Sequence, residues 1–247
     1  MLTNTFLHVP GITEAIEFEL WRQGSLSWHD YLGSSTRWKC AVDATRVIKN
    51  SLARLERRDY AYFVRKLPSR EHWRAFPEFS DRIAYLDIET DGGFSAESIT
   101  MIGASDGDRF HAYIKGRDLD KFPYYLVDKG LIVTFFGSGF DLPMLRKLFP
   151  YLPFDQLHID LCHALRRLGY RGGLKNIERQ LGLSRSADTD GLTGRDAITL
   201  WRQYRKGHAK ALDLLIEYNR EDVMNLKTLL ALAYQGLRKD RFGAFDH

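Results

Sequence analysis

The sequence predicts an α/β fold, a mixed sheet flanked by helices with a small helical region at the amino terminus. Three observations point to it. Residues 83–114 switch to a two-residue hydrophobic period, with three strand-like segments in close succession. Residues 118–168 then alternate helix-like and strand-like segments. Beyond residue 174 the remainder reads as helix and closes on one long amphipathic segment.

Taken in order, residues 1–35 hold two short amphipathic helical patterns around the Gly24-Ser25 turn and form the first expected domain. Residues 36–79 are a basic helical connector. Val42, Val47, Ile48, Leu52 and Leu55 recur there at near-helical spacing within 38–66, and a loop with Pro68 and Pro77 follows. The third expected domain, residues 80–247, opens with strands over 83–89, 98–105 and 109–114, the last two joined by the tight turn Asp106-Gly107-Asp108. A helix over 118–128, a buried strand over 130–136 and a helix over 142–149 come next. A short strand over 158–161 runs into a helix ending at 168, and helices over 174–181, 195–204 and 209–237 complete the chain. It contains no internal repeat and no low-complexity tract.

With 44% hydrophobic and 13% aromatic residues, a chain of 247 residues can fill a sizeable core, which excludes wholesale disorder. The longest apolar run, residues 131–136 with Thr134 inside it, falls far short of the ~20 residues that span a bilayer. No pattern of a secretion signal opens the sequence. Cys40 and Cys162 fit neither a disulfide framework nor a zinc ligand set. A soluble cytoplasmic protein with no membrane partner is expected. The net charge is only +4, but it is unevenly spread. Eleven basic residues between 37 and 74 (Arg37, Lys39, Arg46, Lys49, Arg54, Arg57, Arg58, Arg65, Lys66, Arg70, Arg74) face four acids (Asp43, Glu56, Asp59, Glu71). That surplus suits a polyanion bound by counterion release, with a solvated helix face as the alternative.

Three acidic motifs carry the chemistry. Asp87-Ile88-Glu89 ends the apolar run Ile83-Ala84-Tyr85-Leu86, and strand alternation sets Asp87 and Glu89 on one face. Two carboxylates that close repel unless a cation lies between them, and hard divalent ions such as Mg²⁺ take oxygen ligands. An exposed polar strand end is the alternative. The second motif is Gly137-Ser138-Gly139-Phe140-Asp141, where a strand gives way to a helix. Asp141 stands there either as a helix cap or as a ligand at the carboxyl ends of the strands, where α/β sheets collect their substrates. The third is Tyr218-Asn219-Arg220-Glu221-Asp222, whose spacing of four puts Tyr218 and Asp222 on one helical face. A carboxylate beside that apolar face needs a partner, either a cation or a salt bridge.

In this order and context, D-x-E, F-D and Y-x-x-x-D resemble the DEDD superfamily of 3′–5′ exonucleases, which have a ribonuclease H-like fold. The histidine type would need His five residues before the last Asp, where Glu217 stands, while Tyr218 matches the tyrosine type (DEDDy). Residues 79–237 are also similar to ribonuclease H-like exonuclease domains of the YprB kind. The segments that carry this are Tyr85-Leu86-Asp87-Ile88-Glu89-Thr90, Gly173-Leu174-Lys175-Asn176-Ile177-Glu178 with Leu181-Gly182, and Tyr218-Asn219-Arg220-Glu221-Asp222-Val223.

The resemblance implies that Asp87, Glu89, Asp141 and Asp222 hold two Mg²⁺ or Mn²⁺ ions about 4 Å apart, one carrying the attacking water and the other stabilising the leaving 3′ oxygen. Tyr218 would orient that water, since a hydroxyl of ordinary pKa near 10 is a poor base at neutral pH. The implied partner is the 3′ end of single-stranded or frayed DNA or RNA. A catalytically silent binding or scaffold domain is the alternative function. Gly92, Phe94, Phe140 and Lys175 are candidate nucleic-acid contacts, through backbone approach, base stacking and phosphate charge respectively; a plain turn, core packing and a solvated face are the competing roles. Asp160 reads either as support for the site or as a helix cap, and His158 and His163 as structural. Val9-Pro10-Gly11-Ile12, with Leu20 and Gly24-Ser25-Leu26, resembles a helix-hairpin-helix unit. Thr13 departs from that pattern, standing where a second hairpin glycine is expected, and a β-branched residue takes positive φ poorly.

Overall fold

The run Ile83-Ala84-Tyr85-Leu86 is apolar on both faces of a pleat, so it suits a strand covered on both sides. In the computed structural model, which describes residues 1–34 and 43–245, it begins the central strand β1 (Ile83–Thr90). Strands β2 (Ile99–Ser105) and β3 (Phe110–Ile114) extend the sheet antiparallel on one side. On the other side β4 (Leu131–Thr134) and β5 (Leu157–Asp160) run parallel to β1, giving the order β3-β2-β1-β4-β5. This is the mixed sheet that the alternation predicts. At the β2–β3 turn Gly107 adopts φ 101°, and Asp106 accepts from the amides of Asp108 and Arg109.

Helices α1 (Glu14–Arg22), α2 (Trp28–Gly33), α3 (Ala44–Glu56), α4 (Tyr60–Lys66) and the single turn α5 (Phe76–Phe79) precede the sheet. Within and after it come α6 (Phe122–Leu126), α7 (Asp141–Leu148), α8 (Leu161–Arg167), α9 (Leu174–Gln180), α10 (Gly194–Arg205) and the 34-residue α11 (Ala209–Phe242). None of the described helices is long and apolar enough to cross a membrane. Alternate residues of β1 serve the two faces. Ala84, Leu86 and Ile88 pack on α6 and α7 through Phe122, Leu142 and Leu145. Ile83 and Tyr85 share a cluster with Val223, Leu226 and Leu229 of α11, so the same alternation carries Asp87 and Glu89 to the α11 side. That cluster also takes in Phe6, Trp21, Trp28 and Ile48. Residues on both sides of 35/36 and of 79/80 thus contribute to this cluster.

The structure corrects several local expectations. In the described part of the helix expected over 38–66, from residue 43 on, there are two helices: Arg58 takes a left-handed φ of 57°, and Asp59 caps α4 by accepting from the Tyr62 amide at 3.0 Å. Val42, Arg37, Lys39 and Cys40 lie outside the described residues. The helix expected over 118–128 shortens to a 3₁₀ turn, Leu119–Lys121, and α6, and the loop around Pro68 and Pro77 is built of a 3₁₀ stretch, Ser69–Ala75, and α5. Thr13 has φ −94° and caps α1 from the Ile16 amide at 3.4 Å, so α1 starts where a glycine hairpin would continue. The basic stretch is partly neutralised from within. Arg74, 1% exposed, pairs with Glu71 at 2.7 Å and Glu17 at 3.1 Å. Arg54 pairs with Asp59 at 3.0 Å, Arg70 with Glu14 at 2.8 Å, and Arg58 with Asp81.

His8 is buried with its ring 4.9 Å from that of Trp28, and burial holds its pKa down to about 3. Burial does the same to His158, to about 4. Both titrate near 6.5 when unfolded, so the native state excludes protons that the unfolded chain binds. The stability these two histidines contribute is full above about pH 6.5 and is lost as pH drops toward their native values. His8→Phe is expected to reduce the acid slope of the denaturation midpoint by about one proton. An unchanged slope would contradict the burial argument.

Candidate active site

Asp87 faces Gly103 of β2 in register. A Cβ on Gly103 would come within 1.8 Å of Asn219 Oδ1 and 2.9 Å of the Val223 side chain, so the glycine is what lets α11 lie this close to the sheet. That approach lowers Tyr218, Asn219 and Asp222, all buried on α11, toward the end of β1. Asp87, Glu89 and Asp222 each place an oxygen within 4.8 Å of the other two. Glu89 and Asp222 are buried and Asp87 is half-buried. Fully buried Asn219 donates to Asp87 Oδ2 at 2.8 Å and to Glu89 Oε1 at 3.3 Å, fixing the two carboxylates relative to each other.

Asp141 is the first residue of α7 and does not cap its own helix through its side chain. Its Oδ1 accepts instead from the Ile88 amide at 3.2 Å, tying the head of α7 to β1. It is buried and lines the same cleft, beside the group of three. Asp160 holds the loop that delivers it. The Asp160 carboxylate accepts from the amides of Phe136 at 2.8 Å and Ser138 at 3.0 Å and from the Ser138 hydroxyl at 2.5 Å. It also caps α8 through Cys162 at 3.1 Å, so it is both support and cap. This restraint keeps Phe136 at a left-handed φ of 63° with its ring half exposed at the cleft.

Like charges gathered out of water are hard to ionise. Burial, then Asp141, Asp222 and Glu89, push the Asp87 pKa well above the usual carboxylate range. Burial and Asp222 lift Glu89 to about 8, burial lifts Asp141 to about 7, and burial lifts Asp222 to about 6 against the pull of Arg185. Burial and the same acids push the Tyr218 hydroxyl above its ordinary value, so it stays protonated at neutral pH.

The cleft around this cluster measures about 880 Å³. Gly92 (φ 101°), the 80% exposed ring of Phe94 and half-buried Phe140 all line it. Lys175 does not. Its ammonium lies 4.1 Å over the Tyr218 ring and donates to the Leu192 carbonyl, behind the tyrosine. His158 bonds Thr134 at 2.9 Å and His163 lies 3.3 Å from Ser138 Oγ, both away from the three acids.

Sequence reasoning missed Arg185, Asn219 and Gly103. Arg185 pairs with Asp222 at 2.5 Å from the loop after α9, and no motif spacing points to it. Asn219 was open to inference, because it precedes Asp222 by three residues and so shares its helical face.

A family model, RNase_H_2, described as the RNase_H superfamily, matches residues 84–234. Among solved structures, the family B DNA polymerase from the hyperthermophilic archaeon Pyrobaculum calidifontis is similar at 16% identity and a TM-score of 0.45. The similarity covers 64% of this chain and 24% of the polymerase chain, so the protein spans about a quarter of that length. No curated protein matches the chain. The family match runs over more than half of the sequence, through Asp87, Glu89, Asp141, Tyr218 and Asp222, and by it the chain belongs to the RNase H superfamily.

Proposed function

We propose that the protein is a divalent-metal-dependent nuclease, and within that class a 3′–5′ exonuclease of the DEDDy type, akin to YprB-kind domains. Its substrate would be the 3′ end of single-stranded or frayed DNA or RNA. The observation that carries this reading is the convergence of Asp87, Glu89 and Asp222 within 4.8 Å, from a strand and a helix far apart in sequence. The donors are all carboxylate oxygens, which suits Mg²⁺ or Mn²⁺ and not a soft metal. Asp87, Glu89 and Asp222, with Asp141 beside them, are the residues that would hold two such ions. Bound there, the ions would supply an activated water and neutralise charge on the leaving oxygen.

The protein's own groups prepare that chemistry. Asn219 sets the spacing of Asp87 and Glu89. The protonated Tyr218 hydroxyl donates a hydrogen bond that orients the attacking water and does not remove its proton. Lys175 steadies the tyrosine ring from behind. Gly92 gives backbone room, and Phe94 and Phe140 offer faces on which a terminal base can stack.

The test uses oligonucleotides labelled at either end, incubated with Mg²⁺, Mn²⁺ or EDTA. A metal-dependent ladder from the 5′-labelled strand, with immediate mononucleotide release from the 3′-labelled one, is expected. Intact binding with no cleavage under any metal would favour a silent scaffold instead. In the same assay Tyr218→Phe is expected to lower kcat by ~10²-fold with little change in KM. An unaltered kcat would remove the hydroxyl from the mechanism.

A further inference from the structure

Arg185, in the loop that follows α9, is half-buried, with its side chain only 4% exposed. Nε and Nη2 form a bidentate pair with Glu178 at 2.7 and 2.8 Å, and Nη2 also reaches Asp222 Oδ1 at 2.5 Å. Glu178 is itself 1% exposed and receives the side-chain amide of Asn225 from α11 at 3.0 Å. The guanidinium therefore cannot swing away without breaking a buried pair. Its Nη1 is buried with no hydrogen-bond partner, so its placement serves the two acids rather than complete hydrogen bonding. A fixed positive charge thus stands at one corner of three acids whose oxygens lie within 4.8 Å of one another. Lys175, a second cation near the cluster, is engaged on the Tyr218 ring and the Leu192 carbonyl.

We propose that Arg185 is the resident counter-cation of this cluster, holding Asp222 in place without a divalent ion and competing with the ion for that carboxylate when one binds. The proposal rests on the metal-site reading above and adds a coupling of definite sign: Arg185 and the ion weaken each other's hold. One positive charge relieves the repulsion among acids removed from water. A second positive charge brought to the same carboxylate gains less and is repelled by the first.

Calorimetric Mn²⁺ titration, with thermal melts in EDTA and in saturating Mn²⁺, tests this on wild type, Arg185→Gln and Arg185→Lys. Arg185→Gln is expected to melt below wild type in EDTA and to recover in Mn²⁺, so that its metal-induced shift is the larger. Its Mn²⁺ Kd is expected to fall at least about fivefold, the low end of ordinary coupling between sites. Arg185→Lys keeps the charge without the fork and should shift Kd in the same direction by less; it decides the matter if Arg185→Gln does not fold. Equal shifts and equal Kd values would leave Arg185 a structural residue, and weaker Mn²⁺ binding would make it a helper of the metal; either overturns the proposal. If wild type binds no Mn²⁺, or Asp222→Asn binds it as wild type does, the metal-site reading itself fails and takes this one with it.

Discussion

Asp87→Asn is expected to abolish metal-dependent hydrolysis, by on the order of 10³-fold or more, while leaving the metal-free protein at least as stable as wild type near neutral pH. The substitution keeps the shape of the side chain and removes one ionisable carboxyl group from the cluster. Burial first, and then the nearby charges of Asp141, Asp222 and Glu89, push the Asp87 pKa well above the ordinary carboxylate value. The stability half follows from the sign of these shifts. Glu89, Asp141 and Asp222 have native pKa values raised to about 8, 7 and 6. Groups raised in this way contribute stability fully below their unfolded pKa, near ~4, and lose it as pH rises through the native values. The stability these acids contribute to the metal-free protein should therefore decline progressively from about pH 4 to about pH 8, and less so in Asp87→Asn. Saturating Mn²⁺ should flatten that decline in wild type and do little for the variant. Denaturation midpoints along a pH series, in EDTA and in Mn²⁺, measure both effects. A variant that still hydrolyses, or that is markedly less stable in EDTA at the alkaline end, would contradict the repulsion argument.

Arg74→Ala should be the most destabilising single change away from the cleft. Arg74 is 1% exposed and sits between Glu17 and Glu71, themselves 2% and 1% exposed. Glu71 keeps Arg167 at 3.2 Å and the Trp73 indole at 3.1 Å when Arg74 is removed. Glu17 keeps only hydrogen bonds, from the Thr5 hydroxyl at 2.6 Å and the Phe6 amide at 2.7 Å, and no other ion pair among the described residues. An uncompensated buried carboxylate of this sort costs ~3–5 kcal/mol, or roughly 10 °C or more in Tm for a chain of this size. Adding Glu17→Gln to Arg74→Ala should restore part of the loss, because the stranded charge goes with it. A fall in Tm of a degree or two, or a double variant no better than the single, would show that the pair contributes little.

How far the fold could be read in advance depended on how local its causes are. Alternation in β1 fixes which face Asp87 and Glu89 occupy, and the apolar run before them marks the strand as central. The four-residue spacing of Tyr218 and Asp222 needs only helical geometry. Arg58 interrupts a helix through a left-handed backbone that its residue type does not announce. Likewise, the burial of Arg74 follows from packing between the amino-terminal segment and the connector, so composition there counted a free charge that is paired. Gly103 and Arg185 matter because of what approaches them from other elements, Asn219 in one case and Asp222 in the other. Asp160 shows that two readings of one residue need not compete, since its two oxygens serve a helix cap and the loop before Asp141 together.

Crystals of the full chain soaked in Mn²⁺ and measured at the manganese absorption edge address the acidic cluster most directly. An anomalous peak about 2 Å from oxygens of Asp87, Glu89 and Asp222 is expected. Saturating Mn²⁺ with no peak among those three side chains, in a protein that cleaves nucleic acid in the same ion, would place the chemistry elsewhere.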